Sequence, residues 1–219
     1  MSKASKTYTA RAIDRLGATA SLWLTLNVVS DVVAGVAASV DIFLLAQFPG
    51  GTDLGPYGEI PDGTNLSSFT GLVRVAMLVM TLVTSVIVLK WVYRANRNAH
   101  AFAKGLKNSP PWAVGWFFVP FAALIKPYEA LGETWCVSED PANWKKKFPP
   151  DLMRVWWGFW LTGCIAGNLS FRFSMAASDT AGLLGATVME LISTAGFIVS
   201  GLTLRTLVRR ITTRQTALI

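Results

Sequence analysis

Five ionisable side chains fall inside long apolar blocks of this chain: Asp31, Asp41, Arg74, Arg172 and Glu190. A charge held in hydrocarbon is costly unless paired, and intramembrane carboxylates mark ion or proton routes by default. Asp41, Arg74, Arg172 and Glu190 lie towards the same, non-cytoplasmic end of their blocks, so opposite charges at similar depth are expected to meet in one cluster. Asp31 lies deeper, and its expected state is protonated or bonded to a hydroxyl of Thr81, Thr84, Ser85 or Thr194. Two uses stay open for these groups. They are interhelix ion pairs that fix register, or they belong to a path for ions or protons.

Soluble chemistry finds less to work with. There is no phosphate-binding glycine loop, no HExxH and no Gly-x-Ser-x-Gly. Glu129 and Glu133 stand four apart and can share a helix face, but a carboxylate pair by itself is more often solvated or capping. Cys136 has no recognisable base beside it. One histidine, His100, excludes a multi-histidine metal site built from this chain, and Cys136 and Cys164 form no disulfide framework. No metal and no cofactor is implied, and the expected role is non-catalytic.

The elements that must position these residues are membrane helices. Of 219 residues, 52% are hydrophobic and 15% charged, where a soluble domain carries about 25% charged residues. Four blocks, about 18–48, 69–91, 152–175 and 182–208, are each long enough to span, and helix is the only open-ended state that satisfies its backbone in lipid. The first block exceeds the apolar core of a cleaved signal and reads as an uncleaved anchor. In it, Asn27, Asp31, Ala34, Ala38 and Asp41 share one small and polar face, while Val29, Val33, Val36, Val40 and Phe43 share another. The expected fold is all-α integral membrane: a single domain of four transmembrane helices, with a re-entrant or interfacial element, about 92–150, between the second and third.

Charge gives the orientation. Of 20 lysines and arginines, only Arg74 and Arg172 lie outside the N-terminal tail, the central segment with its flanks, and the C-terminal end. Positive segments stay cytoplasmic. Both termini and the central segment are therefore expected in the cytoplasm, and the loops bearing Asp53, Glu59, Asp62 and Asp179 on the other side. Within the central segment, residues 111–125 are apolar yet would reach only about 22 Å as a helix, against a hydrocarbon layer of about 30 Å. This stretch must dip into the cytoplasmic leaflet and return, or lie along it. Pro120 pushes Val119 out of helical geometry at the break, and Pro127 can open a new helix.

Eight of the nine tryptophans, Trp91, Trp112, Trp116 and Trp135 among them, cluster on this segment or the adjoining span ends. With Arg94, Arg97 and the run Lys145, Lys146, Lys147 they describe a boundary that contacts anionic headgroups or a partner subunit. The net charge of +7 is accordingly assigned to lipid and not to nucleic acid.

The run from Trp91 through Tyr93, Arg94, Ala95 and Asn98, then Gly115, Trp116, Pro120, Pro127, Glu133 and Trp135, resembles the bacterial membrane family catalogued as domain-of-unknown-function 4328. The resemblance is strong over about 91–135 and looser over the flanking spans. It implies a multi-span protein of a bacterial cytoplasmic (inner) membrane and supplies no activity. The expected function is that of an accessory, scaffold or assembly subunit of a larger membrane complex, or an organiser of lipid. The alternative is a small oligomeric transporter or channel using the intramembrane carboxylates. Gly35-x-x-x-Ser39 and Gly196-x-x-x-Ser200 offer small faces for a further helix or for packing within the bundle.

Overall fold

The computed structural model describes residues 8–47 and 66–219, with side chains in the second stretch from Val75 onward. The described residues form six α-helices: α1 (Asp14–Leu45), α2 (Leu66–Phe102), α3 (Pro110–Gly115), α4 (Lys126–Glu139), α5 (Asp151–Ala176) and α6 (Thr180–Ala217). Single 3-10 turns occupy Trp116–Phe118, Ala122–Leu124 and Trp144–Lys146. The described residues contain no strand.

Among the described residues, three segments are long and apolar enough to cross a membrane: Asp14–Leu45, Val75–Phe102 and Thr180–Ala217. This is a multi-pass membrane architecture. At 26 residues α5 has the length, but its three tryptophans, three glycines, Asn168 and Arg172 dilute its aliphatic content.

Two helices run on past the expected spanning blocks. α2 continues unbroken past residue 91 to Phe102, because no Pro or Gly interrupts it. The chain leaves helical geometry just beyond, where Gly105 takes φ +86. α6 likewise runs on from 208 to Ala217, with Leu207, Val208, Ile211 and Gln215 fully buried.

The chain divides into two compact units. The first comprises Met1–Thr25, Val83–Val155 and Thr203–Ile219; the second comprises Leu26–Leu82 and Trp156–Leu202. In the second unit, the valine face of α1 is the outer one: Val29, Val33, Val36, Val40 and Phe43 are all exposed, as a lipid-facing stripe should be, while Ala38 is buried. The small residues are spent inside this unit. A Cβ on Gly196 would lie 3.0 Å from both Gly163 N and Phe159 O, so α5 and α6 touch backbone to backbone. Ser193 Oγ donates to Gly163 O (2.8 Å) and Ser170 Oγ to Ala186 O (2.9 Å), pinning the same pair. Gly35 packs on the Thr194 side-chain methyl, which would lie 3.4 Å from an added Cβ. The first unit has a different interior, and the candidate site belongs to it.

Candidate functional site

The apolar stretch between α2 and α4 folds into a tip. α3 opens on Pro110 and Pro111, whose missing N–H groups cost nothing in a first turn. The rings of Trp112 and Trp116 lie 4.5 Å apart across one turn. Val119 is extended (φ −96, ψ 114), as its following proline requires. Phe121 then takes φ 62 and ψ −44. Pro120 O accepts from Ala122 N at 2.7 Å, which closes a γ-turn with positive φ about Phe121. This is a strained conformation for a bulky residue, worth about 1–3 kcal/mol. Its result is a phenylalanine 86% exposed, flanked by exposed Phe118, Leu124, Ile125 and Trp112.

Behind the tip a network of polar side chains runs through the apolar interior of the unit. Asn98 has no exposed surface: its Oδ1 accepts from Arg11 N (2.9 Å), and its Nδ2 donates to Arg11 O (2.9 Å) and Gln215 Oε1 (3.2 Å). Gln215 Nε2 donates to Ala95 O and to Ser138 Oγ, both at 2.9 Å. Asn96 Nδ2 donates to Thr134 Oγ1 (3.1 Å), and Trp91 Nε1 to Thr212 Oγ1 (3.0 Å). The segment before α1 is thus tied to α2, and α2 to α4 and α6, through groups that water does not reach. Such a network selects one arrangement, since each lost partner strands a buried polar group.

Glu133 on α4 joins this core to the tip. Its carboxylate accepts from Lys107 N (3.1 Å), Asn108 N (3.2 Å) and Asn108 Nδ2 (3.1 Å). Asn108 Oδ1 in turn accepts from Trp116 Nε1 (3.0 Å), and Asn108 O lies 2.8 Å from His100 Nε2. One carboxylate therefore fixes the loop that launches α3 and, through Asn108, the indole beneath the tip. Trp135 is held from two sides: Nε1 donates to Glu139 (3.1 Å), and the Arg214 guanidinium sits 4.2 Å from the ring centre. Arg214 and Lys147 both pair with Glu139 at 3.4 Å. Burial, with Glu139 and Glu133 nearby, pushes the Cys136 thiol up from its usual value, so it stays protonated at neutral pH.

A family model described as a domain of unknown function, DUF4328, matches residues 64–213. The chain belongs to this family. No curated protein and no solved structure matches it. The family assignment fits what the folded unit does with the residues that carry the resemblance. Trp91, Ala95, Asn98, Pro127 and Trp135 are interior; Gly115, Trp116 and Pro120 build the tip; Glu133 connects the two.

This placement corrects part of the surface expected from sequence. Trp91 and Trp135 are 0% and 3% exposed, so neither is available to lipid or a partner. Trp156 and Trp157 are buried as well. Arg94 is turned to the chain itself, donating to Ala12 O (3.1 Å), and Arg97 Nε is shielded from solvent. Trp112, Pro120, Lys145 and Lys146 are exposed as expected, Trp116 and Lys147 partly so.

The expected charge cluster is only partly traced. The side chain of Arg74 lies outside the described residues. Arg172 is exposed and donates to Asn168 Oδ1 on its own helix (2.9 Å), so it is not brought to Glu190. Asp31 accepts from Asn27 Nδ2 one turn back (3.0 Å), not from the hydroxyls expected. Glu190 lines a polar pocket of about 290 Å³ with Ser170, Ser174, Thr187 and Ser193.

Sequence reading missed Arg11, Asn108, Thr134, Ser138 and Gln215. For Gln215 a signal existed: Leu207, Ile211 and Gln215 stand at steps of four on one helix face.

Proposed function

We propose that this protein is a non-catalytic subunit of a membrane assembly, an accessory or scaffold whose first unit is seated in the cytoplasmic leaflet through the tip at Phe121. In this reading α5 is the fourth span, both termini are cytoplasmic, and the membrane is the inner membrane of a bacterium. The observation that carries it is the rigid support of exposed apolar side chains. A soluble protein does not hold Phe118, Phe121, Leu124 and Ile125 out to water on a strained turn, whereas a leaflet solvates them. The exposed Lys145 and Lys146 then suit anionic headgroups.

The test is depth. A nitroxide on Phe121→Cys, in protein reconstituted into vesicles, should be reached by oxygen and shielded from a water-soluble nickel chelate. Equal access to the chelate would remove the basis for leaflet seating. Purification in mild detergent addresses the assembly: a stoichiometric, unrelated complex is expected to accompany the chain.

A second reading, transport, is favoured by Glu190 in its hydroxyl-lined pocket, since such carboxylates serve ion paths. It predicts a homo-oligomer, and loss of ion or proton flux from vesicles on Glu190→Gln and Asp31→Asn without loss of folding.

A further inference from the structure

We infer that a groove between the start of α1 and the end of α6 binds the headgroup of a zwitterionic aminophospholipid of the cytoplasmic leaflet. The inference rests on the reading that this end of the chain faces the cytoplasm, and it is independent of the tip.

The groove is an open surface depression of about 500 Å³, and two matched helix faces line it: Asp14, Gly17, Ala18 and Ser21 from α1, and Arg209, Thr212, Thr213 and Thr216 from α6. Both sets follow the same spacing of three, one and three, which places four side chains on one face. The two helices approach closely at the floor of the groove because Gly17 has no side chain. A Cβ there would overlap Thr212 Oγ1, which is itself fixed by Trp91 Nε1.

The helices run antiparallel here. Arg11 and Gln215 meet on Asn98, and Gly17 meets Thr212, so α6 numbering falls as α1 numbering rises. Asp14 is then level with Thr216, and Ser21 with Arg209, about 10 Å further along α1 towards its apolar span. Among the described residues Asp14 and Arg209 make no ion pair, with each other or with any other group. Ser21 Oγ is shielded from solvent and has no hydrogen-bond partner in the protein.

Donors and acceptors are sorted along the groove. At the deeper end stands the Arg209 guanidinium, a group that suits a phosphate. At the outer end stand the Asp14 carboxylate and Thr216 Oγ1, whose proton is already given to Thr212 O (2.9 Å), so that both offer lone pairs to an ammonium. A phospholipid in the cytoplasmic leaflet presents its groups in this order, phosphate deeper and amine outward. The two site charges cancel, which matches a net-neutral headgroup. An anionic headgroup lacking an amine would leave Asp14 facing its negative charge. Leu22, one turn beyond Ala18 on the same face and 58% exposed, offers an apolar surface to an acyl chain.

The test uses the delipidated full-length protein in detergent, titrated separately with phosphatidylethanolamine, phosphatidylglycerol and free phosphoethanolamine, with bound lipid read by native mass spectrometry. The wild type should prefer phosphatidylethanolamine to phosphatidylglycerol, and free phosphoethanolamine should bind far more weakly than the lipid. Arg209→Gln should weaken phosphatidylethanolamine by about tenfold, the effect of one charge-assisted hydrogen bond. Asp14→Asn should move the preference towards phosphatidylglycerol, a reversal that simple loss of structure does not produce. Equal affinity for both lipids in the wild type, or an unchanged preference in Asp14→Asn of wild-type thermal stability, overturns the assignment. Free phosphoethanolamine binding as well as the lipid overturns the lipid as its source. Because the titration is done in micelles, its failure leaves leaflet seating of the tip standing, and failure of the depth measurement leaves this site standing.

Discussion

The interior of the first unit and its tip treat polar and apolar side chains differently. Inside, the amides and hydroxyls of Asn96, Asn98, Thr134, Ser138 and Gln215 are buried among apolar side chains such as Trp91, Val137, Met153, Leu207 and Ile211; at the tip Phe118, Phe121, Leu124 and Ile125 stand exposed. In water alone this would be a poor arrangement, because apolar burial is the main driving force of folding. Where the surroundings supply hydrocarbon, apolar side chains gain little by turning inward. Specificity then falls to directional bonds, which are stronger out of water. The difference teaches that in this unit buried polar pairs select which segments meet, while the exposed side chains of the tip take no part in that packing; under the proposed function they seat the unit in the leaflet.

The sharpest way to break the comparison is Asn98→Leu, which keeps size but strands Arg11 O, Arg11 N and Gln215 Oε1. It should lower the unfolding free energy by about 3 kcal/mol, read by denaturant titration in detergent. An unchanged midpoint would mean that the polar interior is not what holds the unit together. Glu133→Ala should cost less, about 1 kcal/mol, because the carboxylate is partly exposed. Its signature is mobility: the spectrum of a nitroxide at position 121 should sharpen as Asn108 and Trp116 lose their anchor.

Phe121→Gly sharpens the contrast by moving the two properties in opposite directions. It relieves a positive φ and should stabilise the protein by about 1 kcal/mol, while weakening partition of the tip into the leaflet. The smallest effect is expected at Asp140. Bonds from the Asn143 backbone N–H, and then from its side chain, hold this exposed carboxyl below its usual value of 3.8. Its contribution is therefore present above that value and is lost as pH falls through the depressed one. Asp140→Ala should lower stability slightly at neutral pH and leave it unchanged at acid pH, which makes the acid limb of the stability profile shallower.

Much of the fold was legible because its causes are local. The break at Val119–Pro120, the new helix around Pro127 and the two faces of α1 follow from proline sterics and from 3.6-residue periodicity. The extension of α2 was not legible by hydropathy: its residues beyond 91 are polar, yet Asn96 and Asn98 are buried by partners on other elements. The tryptophans failed for a related reason. An indole at the lipid boundary and an indole inside a polar core look identical in sequence, as an apolar ring carrying one N–H. Only a partner such as Thr212 or Glu139 decides between them.

By itself, then, the sequence determined that this chain is helical and membrane-embedded, because length and hydrocarbon content act residue by residue along a helix. The tertiary structure alone decided which polar residues became the interior and which aromatics became the surface. Hydrogen bonds between positions as far apart as Asn98 and Gln215 depend on where distant segments meet, and no local pattern encodes that meeting.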